Sequence, residues 1–371
     1  MSIIPGTLCL PPRTRCGRGL ALELPDLCRR FGEPGLLIHG LSLARTGRLN
    51  AIRKRADASM QVYQHEGGEP TLAQVAEAAR SAREAGACWI AGVGGGSVLD
   101  LAKAAAGLAH AEQQPAFYQN GGALDAAGVP FIAVPTTAGT GAEATPNAVI
   151  TNHETGVKKS IRDPSFLAAL IVLDPELLAG MPKPVIAAAG MDALTQAVES
   201  FLSVKATWLS EQLALQGVRL LAANLAAVYD GETGPPLEAC LLGSYLTGVA
   251  FSFSRLGVVH GLAHPLGAVF QVPHGLVCGV CLPHALAFNR EAARAKYETL
   301  AACLGGDPVA VVREMLQRFD LRSPFAGAQL KARERIVREV LASGSTAANP
   351  RPVTAQDVDG FLTALFAEGA E

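Results

Sequence analysis

Charged and aromatic residues are both scarce in this 371-residue chain. Only 17% of its residues are charged and 5% are aromatic, whereas 49% are hydrophobic, so the chain is too apolar to be disordered. The 31 basic and 33 acidic side chains leave a formal net charge of −2. Such a balance provides no broad positive field to attract a nucleic-acid backbone or an anionic membrane surface. We therefore expect small-molecule partners, and neither nucleic acid nor membrane.

The sequence also predicts neither a membrane span nor a secretion signal. No uninterrupted apolar stretch reaches the roughly 18 residues that span a bilayer, and the start MSIIPGTLCLPPRTRCGRG lacks a basic segment followed by an apolar core. Of eight cysteines, only Cys278 and Cys281 form a C-x-x-C pair. With no second pair, we expect them to pack as small hydrophobic side chains rather than to bind zinc. These absences favour a cytoplasmic protein with reduced thiols.

Short aliphatic runs alternate with segments of helical periodicity in the first half of the chain. The runs are bounded by glycine or proline, an arrangement typical of parallel strands joined by helices. Strands are predicted at residues 35–39, 87–93, 129–134 and 170–173, and helices at 71–85 and 98–109.

The pattern changes after MPKPV at residues 181–185. Long segments rich in Ala and Leu follow, such as 209–227 and 292–304, and these predict helices. The chain is long enough for two packed domains. We expect an α/β domain over residues 1–180 and a helical domain over residues 181–371.

Three glycines interrupt a predicted strand in WIAGVGGGSVLDLAKAAA, residues 89–106. A helix opened by Ser97 follows, and Ser97 with Asp100 matches the S-x-x-D capping box. Glycine lets the backbone approach an anion closely, and the amides and dipole of a helix start supply positive potential. A plain tight turn would also account for the glycines, so this motif alone leaves nucleotide binding open.

A second loop of hydroxyls and glycines, PTTAGTGAEAT at residues 135–145, follows another predicted strand. Ligands of open α/β sheets bind at the carboxyl ends of the strands. Two such loops on neighbouring strands would face one crevice and favour a dinucleotide, although Thr and Gly are also common turn residues.

Three of the eight histidines fall within residues 260–275. His260 and His264 are spaced i, i+4, and His274 could fold back beyond Gly267 and Pro273. Upstream, Asp192 and Gln196 have the same spacing. A carboxylate with imidazoles suits a divalent transition metal that acts as a Lewis acid. The alternative is that these histidines cap helices or bond carbonyls.

Together these stretches resemble the iron-containing (group III) alcohol dehydrogenase family. The motifs stand in family order: EPT at 69–71, GGGSVLDLAK at 94–103, PTTAGTGAEAT at 135–145, LDP at 173–175, GMDALTQAVES at 190–200, HGLAHPLGA from 260 and PHG ending at 275. The resemblance implies a dehydroquinate synthase-like fold, with an N-terminal α/β dinucleotide-binding domain, an all-α C-terminal domain and an active site in the cleft between them. The implied reaction is metal-assisted hydride transfer between NAD(P)(H) and a small alcohol or aldehyde, in an enzyme expected to be a homodimer.

The resemblance also implies roles for particular residues. The metal ligands would be Asp192, Gln196, His260 and His274. His264 would lie near the nicotinamide as a proton carrier, rather than on the metal beside His260, and Asp100 would face the substrate. The cofactor-binding residues would be Gly40, Ser42, Gly95, Gly96, Ser97, Thr136, Thr137, Thr145, Asn147, Leu178 and Lys158, or for the last of these its neighbour Lys159.

Two positions depart from the family pattern. Residue 196 is Gln where the family has a histidine ligand, and an amide oxygen is a weaker donor, so Fe²⁺ or Zn²⁺ would be held less tightly or given up. Gly40 replaces an aspartate that would bond the adenosine ribose. Without that carboxylate, Ser42 or Arg45 could contact a 2′-phosphate, so NADP(H) is expected to be tolerated or preferred.

Two other interpretations fit much of the same sequence. Sugar-phosphate cyclases related to dehydroquinate synthase, and glycerol dehydrogenase-like enzymes, share this general fold. The Gln at position 196 also leaves open a non-catalytic dinucleotide-binding protein. Turnover of NAD(P)H with short aldehydes separates these possibilities.

Overall fold

The computed structural model describes residues 8–56 and 60–367. Its contacts divide the chain into two compact units. The N-terminal unit comprises Cys9–Thr137 and Gly141–Ala179, and the C-terminal unit comprises Ala138–Thr140 and the described residues from Gly180 onward, together with Leu8.

A parallel sheet forms the centre of the N-terminal unit. Its strands are β1 Thr14–Cys16, β2 Gly35–Gly40, β3 Met60–His65, β4 Trp89–Gly94, β5 Phe131–Pro135 and β8 Leu170–Leu173. They lie in the order β1-β8-β5-β4-β2-β3, and all neighbours run parallel. A separate antiparallel hairpin pairs β6 Asn147–Asn152 with β7 Val157–Arg162. The α/β class predicted for the first half of the chain is confirmed.

Helices connect these strands. They are α1 Leu24–Cys28, α2 Leu41–Arg45, α3 Arg48–Ala56, α4 Leu72–Glu84, α5 Gly96–Gly107 and α6 Pro115–Gln119. At the start of α4, the hydroxyl of Thr71 accepts a bond from the Gln74 amide, and the Gln74 side chain accepts one from the Thr71 amide. This capping box satisfies two amides that the helix itself leaves unpaired.

Strand β2 lies between β3 and β4, so the order of strands reverses there. In open α/β sheets, such a reversal opens a crevice at the carboxyl ends of the two strands, where ligands bind. Gly40 ends β2 and Gly94 ends β4. The topology therefore places both positions at the edge of the sheet that is suited to a ligand.

The C-terminal unit is helical, as predicted. Its helices are α7 Lys183–Leu202, α8 Trp208–Tyr229, α9 Pro235–Ser254, α10 Val258–Phe270, α11 His274–Asn289, α12 Arg294–Leu304, α13 Pro308–Arg318, α14 Arg333–Ala342 and α15 Ala355–Ala367. Helix α7 packs against α8, α9 and α11. Because it has neighbours on several sides, most of its residues are buried, polar ones included.

Helices α7 and α9 are long and apolar enough to cross a membrane by length and composition alone. The most apolar window of α7 is 83% buried within the protein, and that of α9 is 56% buried. The core helices of a helical unit have the same length and composition, because their apolar surface packs against neighbouring helices.

Candidate active site

The three glycines at residues 94–96, which we call the glycine loop, lie at the carboxyl end of β4. A Cβ on Gly94 would lie 2.5 Å from the Cβ of Val98, so the close return of the chain into α5 requires glycine there. Gly95 precedes the helix, and no side chain caps its first turn. The amides at this helix start therefore have the arrangement that binds phosphate oxygens.

The capping box predicted from Ser97 and Asp100 is wrong. Helix α5 begins at Gly96, one residue before Ser97. The Asp100 carboxylate accepts a bond of 3.1 Å from the Val149 amide of β6 instead. Burial raises the pKa of Asp100 to about 6, although Lys103 and the bond from Val149 oppose the rise. Asp100 thus joins α5 to the hairpin.

Residues predicted to bind the cofactor come together at three strand ends. A Cβ on Gly40, at the end of β2, would lie 3.3 Å from Cγ2 of Val98 in the first turn of α5. The amide of Thr136, after β5, donates to the carbonyl of Gly94 over 3.0 Å. A Cβ on Gly95 would lie 3.6 Å from the side chain of Thr137.

Lys103 was not anticipated as an important residue of this region. Its ammonium group is fully buried and donates to the carbonyls of Ala142, Thr145 and Asn147 at 2.6–2.8 Å, and to the Thr145 hydroxyl at 3.2 Å. The hydroxyl of Thr145 and the carbonyl of Asn147 are thus bound within the protein. A lysine among the alanines of LDLAKAAAG was the signal in the sequence.

Burial shifts the ionisation of this lysine and of a carboxyl group near it. It lowers the pKa of Lys103 to about 8, against the attraction of Asp100 and Glu143. It raises the pKa of Glu143 to about 7, although the charge of Lys103 opposes the rise. Both groups therefore change charge at moderate pH.

The remaining cofactor positions lie apart from the glycine loop in sequence. Lys158 in β7 forms an ion pair of 2.7 Å with Glu69, whereas its neighbour Lys159 is exposed on the other face of the strand. Ser42 is exposed in α2, and Leu178 is buried at the end of a short 3₁₀ turn. Lys158 is thus held by a partner, whereas Lys159 points away from it.

A second cluster lies on α7, α10 and α11 of the C-terminal unit. His260 is in the first turn of α10, and His274 is the first residue of α11. The short turn between these helices folds His274 back, as predicted, so that its ring centroid lies 5.4 Å from that of His260 and 5.3 Å from that of His264. His264 is exposed, whereas His260 is buried.

Four possible metal-binding atoms converge at this turn. Oδ1 of Asp192 lies 3.4 Å from Nε2 of His260 and 3.8 Å from Nε2 of His274. Sγ of Cys278 lies 3.5 Å from Nε2 of His274 and 3.8 Å from Nε2 of His260. All four atoms lie within 4.8 Å of one another. We call Asp192, His260, His274 and Cys278 the donor cluster.

Cys278 is a residue whose role the sequence analysis misjudged. It is buried, as a small hydrophobic side chain would be, but its sulfur faces two imidazoles. Its position four residues after His274 in a helix places both on one face, and that spacing was the available signal. The sulfur therefore belongs to the polar cluster, and the prediction of simple apolar packing for Cys278 is wrong.

Glu199 was also missed. Its Oε2 lies 2.6 Å from Nδ1 of His260, and its Oε1 accepts from the Val259 amide over 2.6 Å. Glu199 follows Asp192 at i+7 and Gln196 at i+3, so it continues the face of α7 already singled out. A carboxylate on one nitrogen of an imidazole orients the other nitrogen for a metal ion.

Two buried side-chain oxygen atoms of α7 could be satisfied by a cation, and the first of them belongs to the donor cluster. Oδ1 of Asp192 and Oε1 of Gln196 are buried and have no hydrogen-bond partner among residues 8–56 and 60–367. Leaving such atoms unpaired is costly in a protein interior. Oδ1 of Asp192, together with the imidazole and thiol donors of the cluster, forms a set that fits a divalent transition metal.

Neighbouring groups in the donor cluster outweigh the effect of burial on the pKa values of Asp192 and His260. Burial by itself would raise the pKa of Asp192, but His274 and His260 outweigh it and lower that pKa. Burial would lower the pKa of His260, but Cys278, Asp192 and Glu199 hold it well above its ordinary value. Burial raises the pKa of the Cys278 thiol to about 12. A metal ion would compete with protons for these groups.

Gly275 allows this geometry. A Cβ at this position would lie 2.2 Å from the carbonyl oxygen of Ala188 in α7. Because the obstructing atom belongs to the backbone of a packed helix, no side-chain rotation could relieve the contact. The glycine of PHG therefore lets the start of α11, with His274, approach Asp192.

Comparisons with known proteins match both halves of the chain. A family model described as "Iron-containing alcohol dehydrogenase" matches residues 11–175, and one described as "Fe-containing alcohol dehydrogenase family, C-terminal" matches residues 186–366. The chain is 32% identical to "Probable alcohol dehydrogenase EutG" of Salmonella typhimurium, over 96% of this chain and 94% of that protein. It is 29% identical to the NAD-dependent methanol dehydrogenase of Bacillus methanolicus, over 94% and 97% of the two chains.

A solved structure shows the same similarity in three dimensions. Sulfoacetaldehyde reductase from Bifidobacterium kashiwanohense, crystallised in complex with NAD⁺, superposes with a TM-score of 0.91 at 25% identity. The superposition covers 98% of this chain and 99% of that protein.

Proposed function

Because this chain belongs to the iron-containing alcohol dehydrogenase family, we propose that its donor cluster and glycine loop serve one metal-assisted reaction. The protein is an oxidoreductase that transfers a hydride between a nicotinamide cofactor and a small alcohol or aldehyde. The convergence of Asp192, His260 and His274 in a chain of this family is the observation that carries the proposal.

We assign the dinucleotide to a domain of residues 1–180. The reversal of strand order at β2 and the glycines after β4 support this assignment. The amides of Gly95, Gly96 and Ser97 would bind the pyrophosphate. Thr136, Thr137, Thr145, Asn147 and Lys158 would surround the nicotinamide half, and Gly40, Ser42 and Leu178 the adenosine half. Asp100 would face the substrate.

We assign the metal and the substrate to a domain of residues 181–371. Asp192, His260 and His274 would hold Fe²⁺ or Zn²⁺, with Gln196 at the fourth position of the family pattern. Such an ion supplies Lewis acidity to a substrate oxygen. Glu199 orients His260 through Nδ1, and burial keeps water from competing at Asp192 and His260. His264, exposed and stacked on His274, would carry a proton to solvent.

NADP(H) should be accepted alongside NAD(H). The family aspartate at the end of β2 is Gly40 here, and Ser42 and Arg45 are exposed on the helix that follows. No carboxylate at position 40 would then repel a 2′-phosphate, and Arg45 could pair with it. Initial rates with NADPH and NADH at equal concentrations test this, and a strong preference for NADH would contradict it.

The deciding experiment for the reaction is a screen of short aldehydes and alcohols. Purified protein should oxidise NADH or NADPH with at least one short aldehyde, and a chelator should abolish that activity until Fe²⁺ or Zn²⁺ is restored. Metal content is measured on the same preparation. Absence of turnover across the panel would refute the assignment.

We further propose a cytoplasmic homodimer. None of the eight cysteines, all of which lie in the described residues, forms a disulfide, and this suits a reducing compartment. Strand β1 lies at one edge of the parallel sheet, where its unpaired side could join a second copy of the chain. Light scattering coupled to size-exclusion chromatography should give twice the chain mass, and a monomer mass would exclude the dimer.

A further inference from the structure

The fourth position of the metal site is where this chain departs from its family. Residue 196 is Gln, a neutral and weak donor, in place of the family histidine. In the donor cluster, a different side chain stands beside Asp192, His260 and His274, namely Cys278. A buried thiol against two imidazole nitrogens needs an explanation other than packing.

We propose that the Cys278 thiolate is the fourth protein ligand of the metal, in place of the imidazole missing at position 196. This inference rests on the proposed function, because it requires that Asp192, His260 and His274 bind a divalent ion. It changes the donor set from one of nitrogen and oxygen to one that includes sulfur.

Four of the six distances between donor atoms lie close to those of a tetrahedral site. Zinc bonds of about 2.0–2.1 Å to nitrogen or oxygen and about 2.3 Å to sulfur imply separations of about 3.4 Å between N and O and about 3.6 Å between S and N. The N–O separations in the cluster are 3.4 and 3.8 Å, and the S–N separations are 3.5 and 3.8 Å. The other two separations are no more than 4.8 Å, so those side chains would move toward the ion on binding.

Helical spacing explains how the exchange of ligands preserves the site. The family pattern takes two ligands one turn apart from α7, at positions 192 and 196. In this chain, His274 and Cys278 are one turn apart on α11, so α11 supplies the pair and α7 supplies Asp192 alone. The number of protein ligands stays at four.

The chemistry of sulfur favours the same assignment. Binding breaks the S–H bond of Cys278, forms a sulfur–metal bond and releases the proton to solvent. A thiolate is anionic and soft, whereas the Gln196 amide oxygen is neutral, so sulfur is the stronger donor to Zn²⁺. Glu199 occupies Nδ1 of His260, which leaves Nε2, the atom facing Cys278, for the ion.

X-ray absorption of the zinc-loaded wild-type protein tests the ligand without any substitution. We expect one sulfur atom in the coordination shell, at about 2.3 Å. Substitution with Co²⁺ provides an independent measurement, because a thiolate bound to cobalt gives a charge-transfer band in the near ultraviolet. The wild type and Gln196→Ala should show the band, and Cys278→Ser should lose it.

Cys281→Ala is the matched control. Cys281 follows Cys278 by three residues in α11 and is equally buried, but it is outside the donor cluster. This variant should keep the cobalt band and one equivalent of metal. Circular dichroism of Cys278→Ser reports whether the helices persist.

The possible outcomes separate this inference from the proposed function. One equivalent of metal bound through nitrogen and oxygen alone, or a band that survives in Cys278→Ser, overturns the sulfur ligand and leaves the proposed function standing. Loss of metal in Gln196→Ala, with no sulfur seen in the wild type, assigns the position to Gln196 instead. A wild type that binds no metal overturns both metal assignments, and aldehyde turnover on that preparation reports hydride transfer separately.

Discussion

The ammonium group of Lys103 lies among the carbonyls of the loop that leads into β6. It provides the hydrogen bonds that fix the backbone at Ala142, Thr145 and Asn147. Because the group is buried, the loop depends on a charge that is itself unfavourable in the interior. A polar residue in an alanine-rich helix thus determines the shape of the segment before the hairpin.

Lys103→Met should destabilise the N-terminal unit by about 3 kcal/mol, since it leaves buried carbonyls without a donor. Urea unfolding followed by circular dichroism measures the change. Lys159→Met, at an exposed site on β7, is the control and should alter stability little. An unchanged unfolding midpoint for Lys103→Met would show that the loop does not need these bonds.

Glu199→Gln should weaken metal binding by about 10- to 100-fold, because the variant removes the negative charge that polarises His260. The amide oxygen can still accept from Val259, so the helices should remain folded. Competition with a chromophoric chelator measures the affinity. Glu232→Gln, exposed after α8, controls for a charge lost elsewhere in the unit, and equal affinities in both variants would contradict the role of Glu199.

At the residue scale, the sequence predicted candidate metal ligands but not all of the residues that contact them. Asp192, His260 and His274 could be identified from the family motifs, whereas spacing alone paired His260 with His264. The structure brings the three residues together. Glu199 and Cys278 lie on the same helical faces as those residues, but which atoms meet depends on how α7, α10 and α11 pack. Periodicity within one helix carries no information about that packing.

At the scale of elements, the approach of α11 to α7 depends on a missing side chain. A Cβ on Gly275 would meet the Ala188 carbonyl at 2.2 Å. Gly275→Ala should therefore destabilise the C-terminal unit by about 1–3 kcal/mol, because α11 has to move away from α7, and it should also lower metal occupancy.

Gly360→Ala in α15 is the control, and its expected effect on stability has the opposite sign. A Cβ there meets no atom within 4 Å, so the substitution should stabilise the protein by about 0.5–1 kcal/mol through helix propensity. Thermal unfolding should give a lower midpoint than wild type for Gly275→Ala and a higher one for Gly360→Ala. Equal shifts would mean that helix spacing at Gly275 is unimportant.

The elements themselves were predictable to different degrees. β2, β4, β5 and β8 were found because central parallel strands are continuous apolar runs. β3 (MQVYQH) was missed because an edge strand carries polar residues. The capping box predicted at Ser97 and Asp100 is wrong because Asp100 bonds to β6, a distant contact that local capping rules do not include.

At the scale of the whole molecule, stability should vary with pH through buried groups of the N-terminal unit. Glu143 has a pKa of about 7 when folded and about 4.5 when unfolded. Because folding raises this pKa, Glu143 stabilises the folded state fully below pH 4.5. That contribution to the free energy of unfolding is lost as the pH rises through about 7. The expected loss is on the order of 3 kcal/mol.

Urea unfolding at pH 5 and pH 8 tests this dependence. Asp100 acts in the same direction at lower pH, because its folded pKa of about 6 is also raised. Glu143→Gln should flatten the profile between the two conditions, whereas Glu154→Gln, at an exposed position between β6 and β7, should not. A variant profile as steep as that of the wild type would exclude Glu143 as its source.

The donor cluster belongs to helices of the C-terminal unit, whereas the glycine loop belongs to strand ends of the N-terminal unit. The metal ion and the dinucleotide should therefore slow amide hydrogen exchange in different segments of the chain. Zinc should slow deuterium uptake along α7, α10 and α11, and dinucleotide should slow it after β2 and β4. Mass spectrometry of peptides from the two loaded forms would then show two separate protected regions along the chain.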